Sequence, residues 1–230
     1  MDFAGALQWM NIQFLLNGLW ITLQVTFYAI IFSLILGGIF GVIRFMEIPF
    51  FSKILGFIID VIRNLPLLLI IFFTYFALPQ LGIRLNIFWA AVTALMIFES
   101  AMISEIIRGG LNSIPKGQAE AGISTGLTRV QTLVYIQLPQ AVRAMAPSIV
   151  SQLIALIKDT SLATIISLPE LTHNAKIIYN QNTNYVIPMF VVMTLLYWII
   201  CYSLSQFSKY LANRGSAKAT RKDGALVQQK

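Results

Sequence analysis

Few side chains in this sequence could carry chemistry, and their spacing suits ion pairing and docking better than bond making. Glu120, Ala121 and Gly122 are followed by Gly126, then nine residues, then Ile136-Gln137-Leu138-Pro139. A carboxylate on a short helix can pair with a partner's cation, and such pairs fix register more than they add affinity. A glycine six positions later can end that helix in the left-handed conformation. Three further ionisable residues, Glu99, Lys158 and Asp159, stand inside apolar runs. In hydrocarbon each costs at least about 2.5–3.5 kcal/mol, so each should face protein or water. Lys158 and Asp159 are chain neighbours and do not face each other on a helix. Thr160 and Ser161 add hydroxyls, and Glu99 an acid, that could line a polar path. The same charges could instead lock helices together or touch a second subunit. Arg63, Asn64 and Pro66 make another polar break, where Pro66 should kink a helix and form part of a gate. Catalytic and metal-binding patterns are missing. His173 is the only histidine, Cys201 the only cysteine, and no Gly-x-x-x-x-Gly-Lys-Ser/Thr phosphate loop occurs. The sequence therefore predicts a non-enzymatic chain with no cofactor of its own.

The elements that must hold these residues follow from composition. Of 230 residues, 57% are hydrophobic and 11% charged. A globular chain has about 45–50% and about 25%. That is too little charge to cover a water-facing surface, so the class expected is an all-α membrane protein. Five apolar runs can span about 30 Å at about 1.5 Å per residue. They lie at Leu15–Ile43, Leu55–Leu78, Ile87–Ile107, Val142–Ile166 and Val186–Phe207. Gly37, Gly38 and Gly41 near the end of the first read as close helix packing. Met1-Asp2-Phe3 lacks a basic leader, so the first span should remain in the mature chain. Loop charge sets the expected orientation. Arg44, Lys53, Arg108, Lys116, Arg129, Arg143, Lys209, Arg214, Lys218, Arg221, Lys222 and Lys230 fall on one side, against Arg84 and Lys176 on the other. This predicts an outside N-terminus and an inside C-terminus. Residues 1–14 are expected to form an extracytoplasmic segment, 15–210 the transmembrane domain, and 211–230 a basic, partly disordered cytoplasmic tail. No aromatic residue is interleaved with the tail's cations, so nucleic acid is not an expected partner.

Residues 113–139 are too polar to span and too long for a simple turn. Pro115 opens a first short helix, Gly126 ends it, and Thr128 caps a second with Leu133, Ile136 and Leu138 on its apolar face. Gly122 should weaken the first helix by about 1 kcal/mol. His173 and Glu170 belong to a loop on the opposite side. There the histidine is expected to be solvated and the glutamate to close a gate or touch a partner.

The pattern from Glu120 to Pro139 resembles the EAA loop of ABC importer permeases, with Gly122 where alanine is usual. Arg63-Asn64-Leu65-Pro66-Leu67-Leu68, Glu105-Ile106-Ile107-Arg108-Gly109-Gly110-Leu111, Lys116-Gly117-Gln118 and Lys158-Asp159-Thr160-Ser161-Leu162 are similar to segments of the HisMQ-like polar amino acid permeases. The resemblance implies a type I importer permease fold in a bacterial plasma (inner) membrane. It also implies two cytoplasmic ATPase subunits that hold ATP and Mg, gripping Glu120, Ala121, Gly122, Gly126, Ile136, Leu138 and Pro139. A second permease subunit, the same chain or a paralogue, would complete the path, and an extracytoplasmic binding protein would deliver the substrate. The implied cargo is a polar amino acid of the glutamine, glutamate or aspartate type. Basic amino acids, opines or cystine remain alternatives. A further alternative, from another class, is an ion-coupled secondary transporter or channel.

Overall fold

The computed structural model describes residues 1–227, which are helical with no strand among them. A short α1 (Phe3–Ala6), capped by Asp2, leads into α2 (Trp9–Phe45). The first apolar helix thus starts at Trp9, six residues before Leu15, where the expected span begins. Along α2, Gly18, Thr22, Thr26, Ala29, Ser33, Gly37 and Gly41 make a buried stripe of small residues. Its Gly37 and Gly41 end packs on α5 (Ile87–Asn112), whose start is capped by the Asn86 side chain, while Gly18 and Thr22 meet Glu170, Leu171 and Asn174. A Cβ on Gly37 would lie 2.8 Å from Ile103 and 2.9 Å from the Ser100 carbonyl oxygen. One on Gly41 would meet Ile107 and the Ser104 carbonyl oxygen at 2.8 Å. Nothing lies within 4 Å of Gly38, so the third glycine serves no such approach.

The second expected span is not one kinked helix. It is divided into α3 (Phe51–Asn64) and α4 (Leu67–Phe72), the latter continued by a π turn at Phe73–Ala77 and a 3-10 turn at Leu78–Leu81. The two arms are bent by 104°. Leu65 is extended, as the residue before proline prefers, and Pro66 stands just ahead of α4 rather than inside a helix.

After α5 come α6 (Lys116–Ser124), α7 (Arg129–Thr132), a π turn at Leu133–Gln137, α8 (Leu138–Asp159) and a 3-10 turn at Thr160–Ile166. The expected second short helix is therefore not separate, because the helical run from Arg129 to Ile166 is continuous over 38 residues. Pro139 does not start a new helix. The π turn just before it makes room for a ring that would otherwise clash one turn back. Then α9 (Leu171–Gln181), a 3-10 turn at Thr183–Tyr185 and α10 (Val186–Val227) complete the chain. The backbone of the expected tail continues α10 to Val227; residues 228–230 lie outside the described residues. Four helical runs are long and apolar enough to cross a membrane, or five if the bent pair makes one crossing. Val25, Ala29, Ile71, Ala91, Leu95 and Leu156 form the central core, where α2, α4, α5 and α8 meet.

Candidate functional site

The 113–139 segment hangs from the end of α5, where Leu111 is buried. Helix α6 ends in a pair of reverse bonds. The Gly126 N–H donates to the Ile123 carbonyl at 2.9 Å, and the Leu127 N–H to the Gly122 carbonyl at 3.2 Å. Gly126 has φ 89°, the left-handed conformation its position in the sequence predicts. Thr128 then caps α7 in a capping box, its own N–H donating to Gln131 Oε1 at 2.9 Å. Gly122 is buried, because a Cβ there would lie 2.8 Å from both Ile136 Cδ1 and Thr132 Cγ2. Its cost in helix propensity is thus offset by close seating of α6 on the run that follows. Glu120 and Ala121 are exposed. The expected apolar face is divided differently. Leu133 enters the core beside Ile107 and Leu111, and Ile136 and Leu138 are half-buried. Val130, Val134 and Tyr135 are the outward apolar groups, with Ile123 beside them. A cavity of about 250 Å³ lies between Phe45 and Met46 at the end of α2 and Ala119, Ile123, Thr132 and Leu133 of the segment.

Beside the segment is a charged seat. Glu105 on α5 accepts from Arg44 Nη1 on α2 at 2.8 Å and from Arg108 one turn along its own helix. Arg63 on α3 reaches Glu105 and Asp60, each at 3.8 Å, and Arg44 reaches Asp60 at 3.7 Å. Three guanidinium groups thus share two carboxylates across α2, α3 and α5. Arg63, expected to form part of a path or gate, lies in this seat with its side chain 33% exposed. Asn64 donates to the Asp60 carbonyl at 2.7 Å and ends α3.

The other expected path residues differ in their burial. Glu99 is wholly buried between α5 and α8. It accepts from Gln152 Nε2 at 3.3 Å, and its second oxygen has no protein partner among the described residues. Thr160 is wholly buried and donates to the Ile157 carbonyl at 2.7 Å, so its proton is committed while its oxygen can still accept. Lys158 is exposed, and Asp159 and Ser161 are half-buried. At the opposite end of the bundle Glu170 is buried and caps α9, accepting from the N–H groups of Thr172 and His173 at 2.8 and 2.7 Å. Tyr197 donates to it at 3.2 Å. Burial pushes its carboxyl up to about 7, against the lowering effect of these donors. Glu170 is thus a buried cap, not a group reaching out to a partner. His173 is half-buried with Nδ1 3.4 Å from Thr164 Oγ1, not the solvated residue expected.

Residues 29–216 match the family of binding-protein-dependent transport system inner membrane components. The chain belongs to that family. This permease is 53% identical, over 93% of its length and 99% of the relative's, to the probable glutamine ABC transporter permease protein GlnP of Bacillus subtilis (strain 168). It is 35% identical to the arginine transport system permease protein ArtQ of the same organism, over 91% of this chain and 94% of ArtQ. Its fold matches a crystal structure of an amino acid ABC transporter with histidines, with a TM-score of 0.85, 28% identity, and 93% of this chain and 99% of the other covered. The permease is a multi-pass membrane protein and a transport subunit, not an enzyme. The ion-coupled alternative does not describe this family. Sequence reasoning missed the partners of Arg63 in the charged seat, although the i, i+3 pairs Asp60/Arg63 and Glu105/Arg108 were there to be read.

Proposed function

We propose that this permease is the transmembrane subunit of an ATP-driven importer of polar amino acids, of the glutamine, glutamate or aspartate type. It opens its path alternately to the two sides of a bacterial plasma membrane. The observation that carries the cargo is its 53% identity, over nearly the whole chain, to a probable glutamine permease, against 35% and 34% to arginine and L-cystine permeases. Its partners are two cytoplasmic ATPase subunits that hold ATP and Mg, a second permease subunit, either a copy or a paralogue, and an extracytoplasmic binding protein. The N-terminus lies outside and the C-terminus inside, as the sorting of basic residues supports. The 113–139 segment docks in the ATPase. Glu120 pairs with a cation there, and the Gly126 turn lets α6 and the start of the following helix seat together. Exposed Lys158 and half-buried Asp159 and Ser161 face the second permease subunit or the path.

The test is uptake of radiolabelled glutamine by the whole complex in liposomes, with its binding protein outside and ATP inside. Unlabelled glutamine, glutamate or aspartate should compete at tenfold excess, and arginine and cystine should not. Omitting ATP should abolish uptake, while collapsing ion gradients should leave it intact. Competition by arginine or cystine alone would overturn the cargo assignment.

A further inference from the structure

The position of α3 is hard to reconcile with half of a membrane crossing. A helix returning antiparallel from the end of α2 would carry residue 60 about 12 Å below residue 52. Here both ends of that stretch meet the end of α2. Ser52 Oγ donates to the Ile43 carbonyl at 2.8 Å, and Asp60 lies 3.7 Å from Arg44. Eight residues on, α3 is still within reach of the Arg44 side chain at the helix end where it began. Arg63 then reaches Glu105, the same carboxylate that Arg44 holds. So α3 runs across the end of the bundle, from α2 towards α5, before the 104° bend turns the chain into α4.

The arrangement of side chains around α3 agrees with that course. At about 100° per residue, Ser52, Gly56, Ile59 and Arg63 occupy the side against the bundle, where Ile59 is buried and Gly56 leaves room for the Arg44 guanidinium. Lys53, Asp60 and Asn64 form an exposed polar line along the full length of the helix. Phe51, Ile54, Phe57, Ile58 and Val61 fill the next arc of about 120°, and each is 42% to 72% exposed. A spanning helix has no use for a polar line from end to end, whereas a helix in the plane of a bilayer surface requires one.

We propose that α3 lies in the headgroup–acyl boundary of the bilayer, at the end of the bundle that carries the 113–139 segment. Its aromatic and aliphatic arc sits among the upper acyl chains. Its polar line faces water and lipid phosphates. The charged seat, with three guanidinium groups for two carboxylates, leaves one positive charge at phosphate level. Of the bent pair, only α4 and the turns that continue it then enter the hydrocarbon.

The test places a spin label singly at Phe51→Cys, Ile54→Cys, Phe57→Cys, Ile58→Cys and Val61→Cys, in a Cys201→Ser background. The complex is reconstituted in phosphatidylglycerol and phosphatidylethanolamine vesicles, and depth is read from collision with oxygen and with a polar nickel chelate. Labels at Ile31, Ile35 and Ile39, exposed along α2, provide a ruler of about 1.5 Å per residue. Retained uptake certifies that each variant is folded. All five α3 labels should fall within about one helical turn, 5 Å, of a common shallow depth. A steady descent of about 15 Å from position 51 to position 61 would overturn the proposal. So would loss of oxygen access on assembly, which would assign the arc to the second permease subunit.

Discussion

Single side chains decide two features that hydrophobicity does not predict. Glu105 is the shared acceptor for three arginines, and Glu105→Gln would leave Arg44 and Arg108 without their shortest charged partner. A charge-assisted hydrogen bond contributes about 1.5–3 kcal/mol. The variant should therefore melt several degrees lower as an assembled complex, and Arg44→Met combined with it should cost less than the two changes summed. Fully additive losses in a thermal-shift cycle would show that the two groups do not act together. Glu170 offers a pH test. Its carboxyl lies near 7 in the fold against an ordinary 4.5, so the folded state binds this proton more tightly than the unfolded chain. Its contribution is fully present below pH 4.5 and is lost as pH rises towards 7. The melting temperature should fall across that window, and Glu170→Gln should flatten the slope. An unchanged slope would mean that another group carries it. Only part of either role could be read from the sequence: Arg108 beside Glu105 and the α9 cap of Glu170 are local, but Arg44 and Tyr197 stand 61 and 27 positions away.

Among the elements, the small-residue stripe of α2 makes a sharp comparison. Gly37→Ala or Gly41→Ala would push a methyl group onto a backbone carbonyl of α5, and overpacking costs about 1–3 kcal/mol. Gly38→Ala meets nothing and should be neutral or slightly stabilising. Surviving complex after a heat step in detergent would separate them, and equal survival of Gly37→Ala and Gly38→Ala would refute the packing account. For the docking segment, Gly126→Asp must hold φ near 89° at a cost of roughly 1–2 kcal/mol, and Glu120→Lys reverses an exposed charge. Both variants should assemble in the membrane yet lose most of the ATPase activity that the binding protein stimulates; full stimulation would remove the segment from coupling. The spans at Ile87–Ile107 and Val186–Phe207 were legible because an apolar run is a local property. The course of Leu55–Leu78 was not. Pro66 marks the break, but its angle depends on Arg44 and Glu105, which no window around the proline contains. Gly122 was legible as a glycine in a helix, but its use was not, since Ile136 and Thr132 reach it only after the chain has turned.

In the whole molecule, most exposed apolar side chains on α2 and α10, such as Phe27, Ile35, Leu195 and Trp198, look outward from the single chain. Lipid must cover much of that surface, as the composition already implied. What the composition could not convey is that the end of the proposed docking segment and the candidate path lie on one piece of helix. From Arg129 to Ile166 the run is unbroken, passing Gln152 beside Glu99 and ending beyond Lys158 and Asp159. Its length is roughly 57 Å. Tilted by about 5° around its middle, such a rod swings each end by roughly 2.5 Å in opposite directions. A push on Val130 and Val134 would therefore be delivered to the far end as a sideways stroke with its sign reversed, softened at the π turn before Pro139, at the missing hydrogen bond of Pro147 and in the 3-10 turn at Thr160–Ile166.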